Sequence, residues 1–306
     1  MDLMLHRLTT LHGLHYASRF FSYVPSQTQH EKYTLWATQQ MLSYDRENRV
    51  RLVQTDGAGT IVDQYCLAPL NAFRLLFSRR GFDLSHSQIT GPMGIKKIKH
   101  IEHLLFNELN DDWFQRFGKR PSDRDVIELH DEFTKLLHGS IASCSTPIPY
   151  VDEAFNFFKD QSLLCALTTG YSRTTADLGM SNLYKLFDVT TTADEVDTGT
   201  RMAMVKKNMS KLKLPEEDMK YGVVFTDASS DISNILSNAQ FPWVFGVSDY
   251  STHVGISSEK ELELLSPSFL AAKREEARRL LLATRPHAVI HNMSEACLAI
   301  VAVNKA

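Results

Sequence analysis

From Thr146 onward the chain alternates short apolar runs with stretches of helical spacing, and this alternation limits the fold more than any other feature of the sequence. Helical spacing over 151–159 precedes an apolar run at 163–167, then come a helix around 174–187, a run at 189–192 and a helix over about 202–212. Runs at 223–226, 243–247 and 288–290 continue the series. A charged amphipathic helix opened by Ser266-Pro267 reaches about Ala283, and a last helix covers 293–303. Short strands separated by crossover helices pair in parallel, and a parallel sheet needs helices on both faces. The expected fold class is α/β, a doubly wound parallel sheet.

One strand lies apart from the rest. The run 50–53 leads through Gln54 and Thr55 into Asp56-Gly57-Ala58-Gly59-Thr60-Ile61-Val62-Asp63, where two glycines let the backbone turn sharply. Asp56 thereby falls at the carboxyl end of a strand, the edge at which open α/β sheets bind ligands. Residues 68–140 then read as nearly all helix. Leu70, Phe73, Leu76 and Phe77 share a face that Gly81 ends, and Ser85-His86-Ser87-Gln88 has capping-box spacing. Gly91-Pro92-Met93-Gly94 breaks the chain before a helix from Ile95, on which Lys97 and His100 lie three apart. Ser122-Asp123-Arg124-Asp125 opens another helix that runs to Gly139. The expected organisation is an N-terminal extension (1–48), a core domain (49–66 and 146–306) and a helical domain (67–145) inserted into it.

Composition narrows the function. A net charge of −3 with 23% charged residues gives no electrostatic footprint for nucleic acid, so a small-molecule substrate is expected. Cys66, Cys144, Cys165 and Cys297 lack paired spacing, which fits reduced thiols in a cytosol-like compartment. No apolar run reaches the roughly 18–20 residues of a membrane span, so a soluble protein is expected. The first thirty residues carry Asp2 as their only acid, with Arg7, Arg19, four histidines and leucines at positions 5, 8, 11 and 14. That start resembles an organelle transit segment and equally an accessory helix, leaving a cytoplasmic or a mitochondrial location open.

Three strand ends carry polar residues: Asp56, Thr168-Thr169 and Asp227, with Asp231 opening the next helix. Parallel strands bring such ends to one edge. Two carboxylates with a backbone carbonyl between them suit Mg²⁺, a hard cation that leaves positions for water and phosphate oxygen. Asp56 could attack phosphorus, while Thr169 and the amides of Thr169 and Gly170 hold phosphoryl oxygens. Taken alone, Asp56-Gly57-Ala58-Gly59 also reads as a polar β-turn, Asp231 as a helix cap and Lys97 as a solvated lysine. A dinucleotide site needs a third small residue where Val62 stands, so it is not expected.

The octapeptide 56–63 resembles the first motif of the haloacid dehalogenase superfamily, in the form found in its phosphonoacetaldehyde hydrolase branch. Most phosphatases of the superfamily have a second aspartate where this chain has Ala58. The likeness continues through Cys66-Leu67-Ala68-Pro69-Leu70, Pro92-Met93-Gly94-Ile95-Lys96-Lys97, residues 113–121, Thr168-Thr169-Gly170-Tyr171, Asp227 with Asp231, and Pro286-His287-Ala288-Val289-Ile290. The resemblance implies cleavage of the C–P bond of phosphonoacetaldehyde to acetaldehyde and phosphate, with Mg²⁺ held by Asp56, Asp227 and the Ala58 carbonyl. It makes Asp56 the nucleophile, Lys97 the imine-forming lysine of a cap domain, and Met93, His100 and Tyr171 neighbours of the substrate. Like charge from Lys96, Lys99 and His100 would help keep the Lys97 amine neutral. The family's basic phosphate-binding residue directly follows a glycine. Here Gly199-Thr200-Arg201 displaces it by one, leaving Arg201, or failing it Lys206 or Lys207, to serve. The resemblance also implies a homodimer formed through the cap. A phosphomonoester phosphatase of the same superfamily and a catalytically silent phosphate- or partner-binding relative are the alternatives.

Overall fold

The computed structural model describes residues 49–305, so what was read in 1–48 lies outside the described residues. Strand β1 (Leu52–Thr55) is followed by five helices: α1 (Leu67–Ser78), α2 (His86–Thr90), α3 (Lys97–His103), α4 (Asn110–Phe117) and α5 (Asp123–Ser140). Then come α6 (Val151–Asp160), β2 (Leu164–Thr169), α7 (Arg173–Met180), β3 (Val189–Thr192), α8 (Arg201–Lys211), β4 (Gly222–Thr226), α9 (Ser229–Leu236) and β5 (Trp243–Val247). Helices α10 (Glu259–Leu264) and α11 (Pro267–Ala283), strand β6 (Ala288–Ile290) and helix α12 (Ala296–Lys305) complete it.

All strand pairs are parallel, in the order β3-β2-β1-β4-β5-β6. The chain winds outward from β1 to β3 and then returns to lay β4 on the other side of β1. The winding therefore reverses between β1 and β4, where an open sheet leaves a crevice beyond its strand ends. Alternation along the strands divides the core. Leu52 and Val224 face Met202, Val205, Ile232 and Ile235, whereas Val53 and Phe225 face the opposite layer with Phe155, Phe158 and Ile300. On that side Phe158 stacks on Phe225, which packs on Phe245 with ring centres 5.5 Å apart.

The helices between β1 and β2 form where the sequence signals place them. Ser85 and Ser122 each complete a capping box, with Gln88 and Asp125 bonding back to the cap amide. Phe73 of α1 meets Phe133 of α5 at 4.3 Å. The single helix expected over 174–187 is two pieces: Met180 leaves the helical region with φ −134°, and a 3-10 segment, Ser181–Leu186, follows. Serine and asparagine at 181 and 182 compete for backbone hydrogen bonds, which weakens a helix there. The last helix likewise opens with a 3-10 turn, Met293–Glu295. Among the described residues no helix is long and apolar enough to cross a membrane.

Gln54, polar in the central strand, finds its partner on α8. Asn208 donates to Gln54 Oε1 at 3.1 Å and to the Leu167 carbonyl at 3.0 Å, and accepts from Thr191 Oγ1 at 2.7 Å. One buried amide thus ties α8 to β1, β2 and β3. Asn208→Ala strands these groups without water and should cost about 2–4 kcal/mol. Chemical denaturation of both proteins measures it; a loss below about 1 kcal/mol would mean the network does not hold α8 to the sheet.

Candidate active site

Asp56 leaves β1 and Asp227 leaves β4, adjacent strands on either side of the winding reversal, and Thr169 ends β2. A cleft at this edge is lined by Asp56, Ala58, Cys66, Met93, Lys97, Thr169, Gly170, Tyr171, Arg201 and Asp227. The tight turn after Asp56 brings the backbone against Asp227. Gly59 has φ +77°, and a Cβ there would lie 2.3 Å from Asp227 Oδ2. Glycine is needed both for conformation and for room.

Asp56 Oδ1 accepts from the Gly57 amide at 2.7 Å and pairs with Arg201 at 2.8 Å. Arg201 is the first residue of α8 and only 1% exposed. Its guanidinium also binds Asp231, through Nε at 2.9 Å, and Thr168 Oγ1 at 2.7 Å. The displaced arginine therefore reaches the Asp56 edge. Lys206 instead pairs with Glu216 and Lys207 is exposed. Asp231 does not cap its helix: Ala228 occupies the cap position and makes no side-chain bond, while Asp231 accepts from Arg201 and Thr226. Burial is the main influence on Asp231 and lifts its pKa to about 6 despite the guanidinium.

Asp227 accepts from the Thr252 amide at 3.1 Å, and Ser251 Oγ donates to its carbonyl. Burial, then the neighbouring charge of Asp56, pushes its pKa well above the ordinary carboxylate range. The Cys66 thiol lies 3.8 Å from Asp227, and burial, then the charges of Asp227 and Asp63, push its pKa up. Among the described residues no three histidine, cysteine or acidic side chains gather as a metal-ligand group. The two carboxylates would need backbone or substrate oxygen to complete a cation's shell.

Lys97 enters from the other side, on the first turn of α3. Its Nζ donates to Met93 Sδ at 3.8 Å and sits 5.8 Å from the centre of the Tyr171 ring. The side chain is only partly covered, yet burial of the ammonium is the largest influence on its pKa and lowers it. Cys66 and the carboxylates act in the opposite direction, and Arg201 reinforces the lowering. The expected repulsion from its own helix is replaced by burial and by the arginine across the cleft. Lys96 bonds to core carbonyls, Lys99 pairs with Glu102, and His100 is itself held neutral by burial and by Lys97. His100 does not line the cleft: it is fully buried against Phe73 at 4.1 Å, with neither ring nitrogen at hydrogen-bonding geometry. Met93, Tyr171, Thr169 and Gly170 do line it. Gly170 packs under the insert's break, where a Cβ would lie 3.3 Å from the Gly94 carbonyl.

Several residues of this edge escaped the sequence reading. Ser251 and Thr252 cradle Asp227, signalled only by the polar run after β5. Asp63, the last residue of the first motif, has a position of its own. It accepts from the Ala68 amide at 3.2 Å and, more weakly, from the Tyr171 hydroxyl at 3.4 Å. Asp63, Tyr65 and Cys66 all have positive φ, an accumulation of backbone strain where the chain leaves the core for the helical insert.

No protein-family model matches the chain. Solved structures do. A phosphonoacetaldehyde hydrolase-like protein from Oleispira antarctica superposes with a TM-score of 0.76 and 25% identity, over 84% of this chain and 93% of its own. A haloacid dehalogenase-like protein from Streptococcus pneumoniae reaches 0.57 over 82% and 97%, at 14% identity, a likeness of fold alone. The class of fold these define is haloacid dehalogenase-like. Among curated proteins, the phosphonoacetaldehyde hydrolase of Parabacteroides distasonis is 32% identical over 79% of this chain and 93% of its own length. That of Bacillus cytotoxicus is 30% identical over 81% and 94%. A bifunctional phosphonoacetaldehyde hydrolase/aminoethylphosphonate transaminase of Clostridioides difficile is 32% identical over 81% of this chain, which spans 39% of that longer protein. The chain belongs to the phosphonoacetaldehyde hydrolase family.

Burial raises the Asp63 pKa to about 7. A carboxyl with a folded pKa above its unfolded value lends stability that is fully present below about pH 4 and is lost as pH rises through about 7. Asp63→Asn removes this dependence, so it should gain on the wild type between pH 4 and 8, by at most about 4 kcal/mol. Urea melts across that range test it; a constant difference would mean Asp63 does not titrate on folding.

Proposed function

We propose that this protein hydrolyses phosphonoacetaldehyde to acetaldehyde and phosphate. The observation carrying this reading is that a partly covered amine with a lowered pKa, Lys97, and a strand-end carboxylate, Asp56, line one small cleft. Cleaving C–P leaves an electron pair on carbon, so a simple phosphatase site is insufficient. The neutral Lys97 amine adds to the aldehyde carbon and water leaves, giving a protonated imine. Asp56 then attacks phosphorus, the C–P electrons move into the iminium, and an enamine and an aspartyl phosphate result. Protonation at carbon and hydrolysis of the imine release acetaldehyde and free Lys97, while water cleaves the acyl phosphate. One water is consumed overall.

In this reading Arg201, Thr169 and the Gly170 amide hold the phosphoryl oxygens, and Asp231 fixes the guanidinium through Nε. Met93 and Tyr171 wall the aldehyde end, and buried His100 supports the helix that carries Lys97. Asp56, Asp227 and the Ala58 carbonyl would hold Mg²⁺. The raised Asp227 pKa, the mark of two buried carboxylates short of positive charge, fits a divalent cation there. Bound, the ion would neutralise charge on the phosphoryl oxygens. Ala58 supports a phosphonate over a phosphate ester, because an acid at that position would serve to protonate a leaving oxygen. Residues 67–145 would act as a cap domain. Leu75, Phe114, Phe117 and Ile127, exposed on its helices, support pairing of two chains through it.

Incubation with phosphonoacetaldehyde and borohydride should fix label on Lys97. Lys97→Ala should lower acetaldehyde release on the order of a thousandfold or more. Turnover without any adduct would overturn the imine route, and efficient hydrolysis of simple phosphate esters would favour the phosphatase alternative.

A further inference from the structure

Lys96, the residue before the proposed imine-forming lysine, reaches out of the insert and across to the core. Its Nζ donates to the carbonyls of Val196 at 2.7 Å and Asp197 at 2.8 Å. Its stem lies over Gly199, which has φ +63°; a Cβ there would fall 2.1 Å from Lys96 Cγ and 2.4 Å from Cδ and Cε. Thr200 and Arg201 follow at once, Thr200 as the cap residue of α8 and Arg201 on Asp56. The loop in which the basic residue is displaced by one position is thus the loop that receives Lys96. Nearby, Ser230 Oγ donates to the Met93 carbonyl, a second tie between insert and core.

We propose that Lys96 is a positioning residue that fastens the Lys97-bearing helix to the loop leading into Arg201. The inference rests on the reading of Lys97 and Arg201 as the aldehyde and phosphoryl ends of one site. Lys97 belongs to the insert and Arg201 to the core, so their spacing depends on closure of one over the other. Two charge-assisted bonds from Lys96 favour the closed arrangement before substrate arrives. Substrate bridging both ends also favours closure. Loss of the latch therefore lowers the competent fraction of the free protein more than it slows the bound complex.

The test compares wild type, Lys96→Met and Lys96→Arg in two measurements: hydrogen exchange of the ligand-free full chain, and acetaldehyde release from phosphonoacetaldehyde. In Lys96→Met, exchange over 194–203 should quicken and KM should rise about tenfold with kcat within about twofold, as expected when only the competent population changes. Lys96→Arg, which keeps charge and donors, should restore both. Faster exchange with an unchanged KM overturns the positioning role, as does a raised KM with unchanged exchange, a fall in kcat alone, or failure of arginine to rescue. If wild type releases no acetaldehyde, the proposed function fails and the exchange arm decides the latch alone: faster exchange in Lys96→Met supports it, and unchanged exchange overturns it.

Discussion

The architecture of the site depends on keeping several buried carboxylates at one sheet edge. Asp56, Asp227 and Asp231 are each nearly inaccessible, and Arg201, equally buried, touches two of them. An isolated ionised group in such surroundings costs several kcal/mol, and the guanidinium places a compensating positive charge between Asp56 and Asp231. Asp227, which Arg201 does not bond, shows the deficit that remains, because its pKa is driven upward by burial and by Asp56. In the proposed function, a bound cation would offset that deficit.

Opposite this charged edge the insert presents an amine governed by desolvation. Lys97 lies against Met93 and the face of Tyr171, surfaces that solvate an ammonium weakly, and Arg201 adds like charge from across the cleft. The same arginine that compensates Asp56 thus helps lower the Lys97 pKa. Proposed nucleophile, phosphoryl clamp and electron sink are electrostatically one unit. Its two halves come from a rigid sheet edge and from a helical insert that joins it through a strained turn at 63–66.

Much of the fold was legible because each element carried its own local signal. The alternation after residue 146, the serine capping boxes at 85 and 122 and the Ser266-Pro267 start all reappear in the structure. Asp56 and Asp227 could be set at one edge because parallel strands end on the same side. The place of Gln54 in the central strand was not legible, because its partner, Asn208, lies 154 residues away on a helix whose periodicity says nothing of hydrogen bonds to β1. Asp231 matched a helix cap by position, yet its carboxylate turns to Arg201. His100 shares a helix with Lys97, but three residues of rotation carry it into the packing against Phe73.

Residue order by itself determined the strands and helices, the parallel winding and the identity of the strand-end acids, since these follow from periodicity, capping chemistry and the geometry of crossovers between neighbouring elements. Only the tertiary structure decided that Arg201 reaches Asp56, that Lys96 crosses to the loop before α8, and that burial rather than neighbouring lysines lowers the Lys97 pKa. Those outcomes depend on distances between segments remote in sequence and on how much water each group loses. Neither quantity is written in local spacing; both arise only when remote segments pack together.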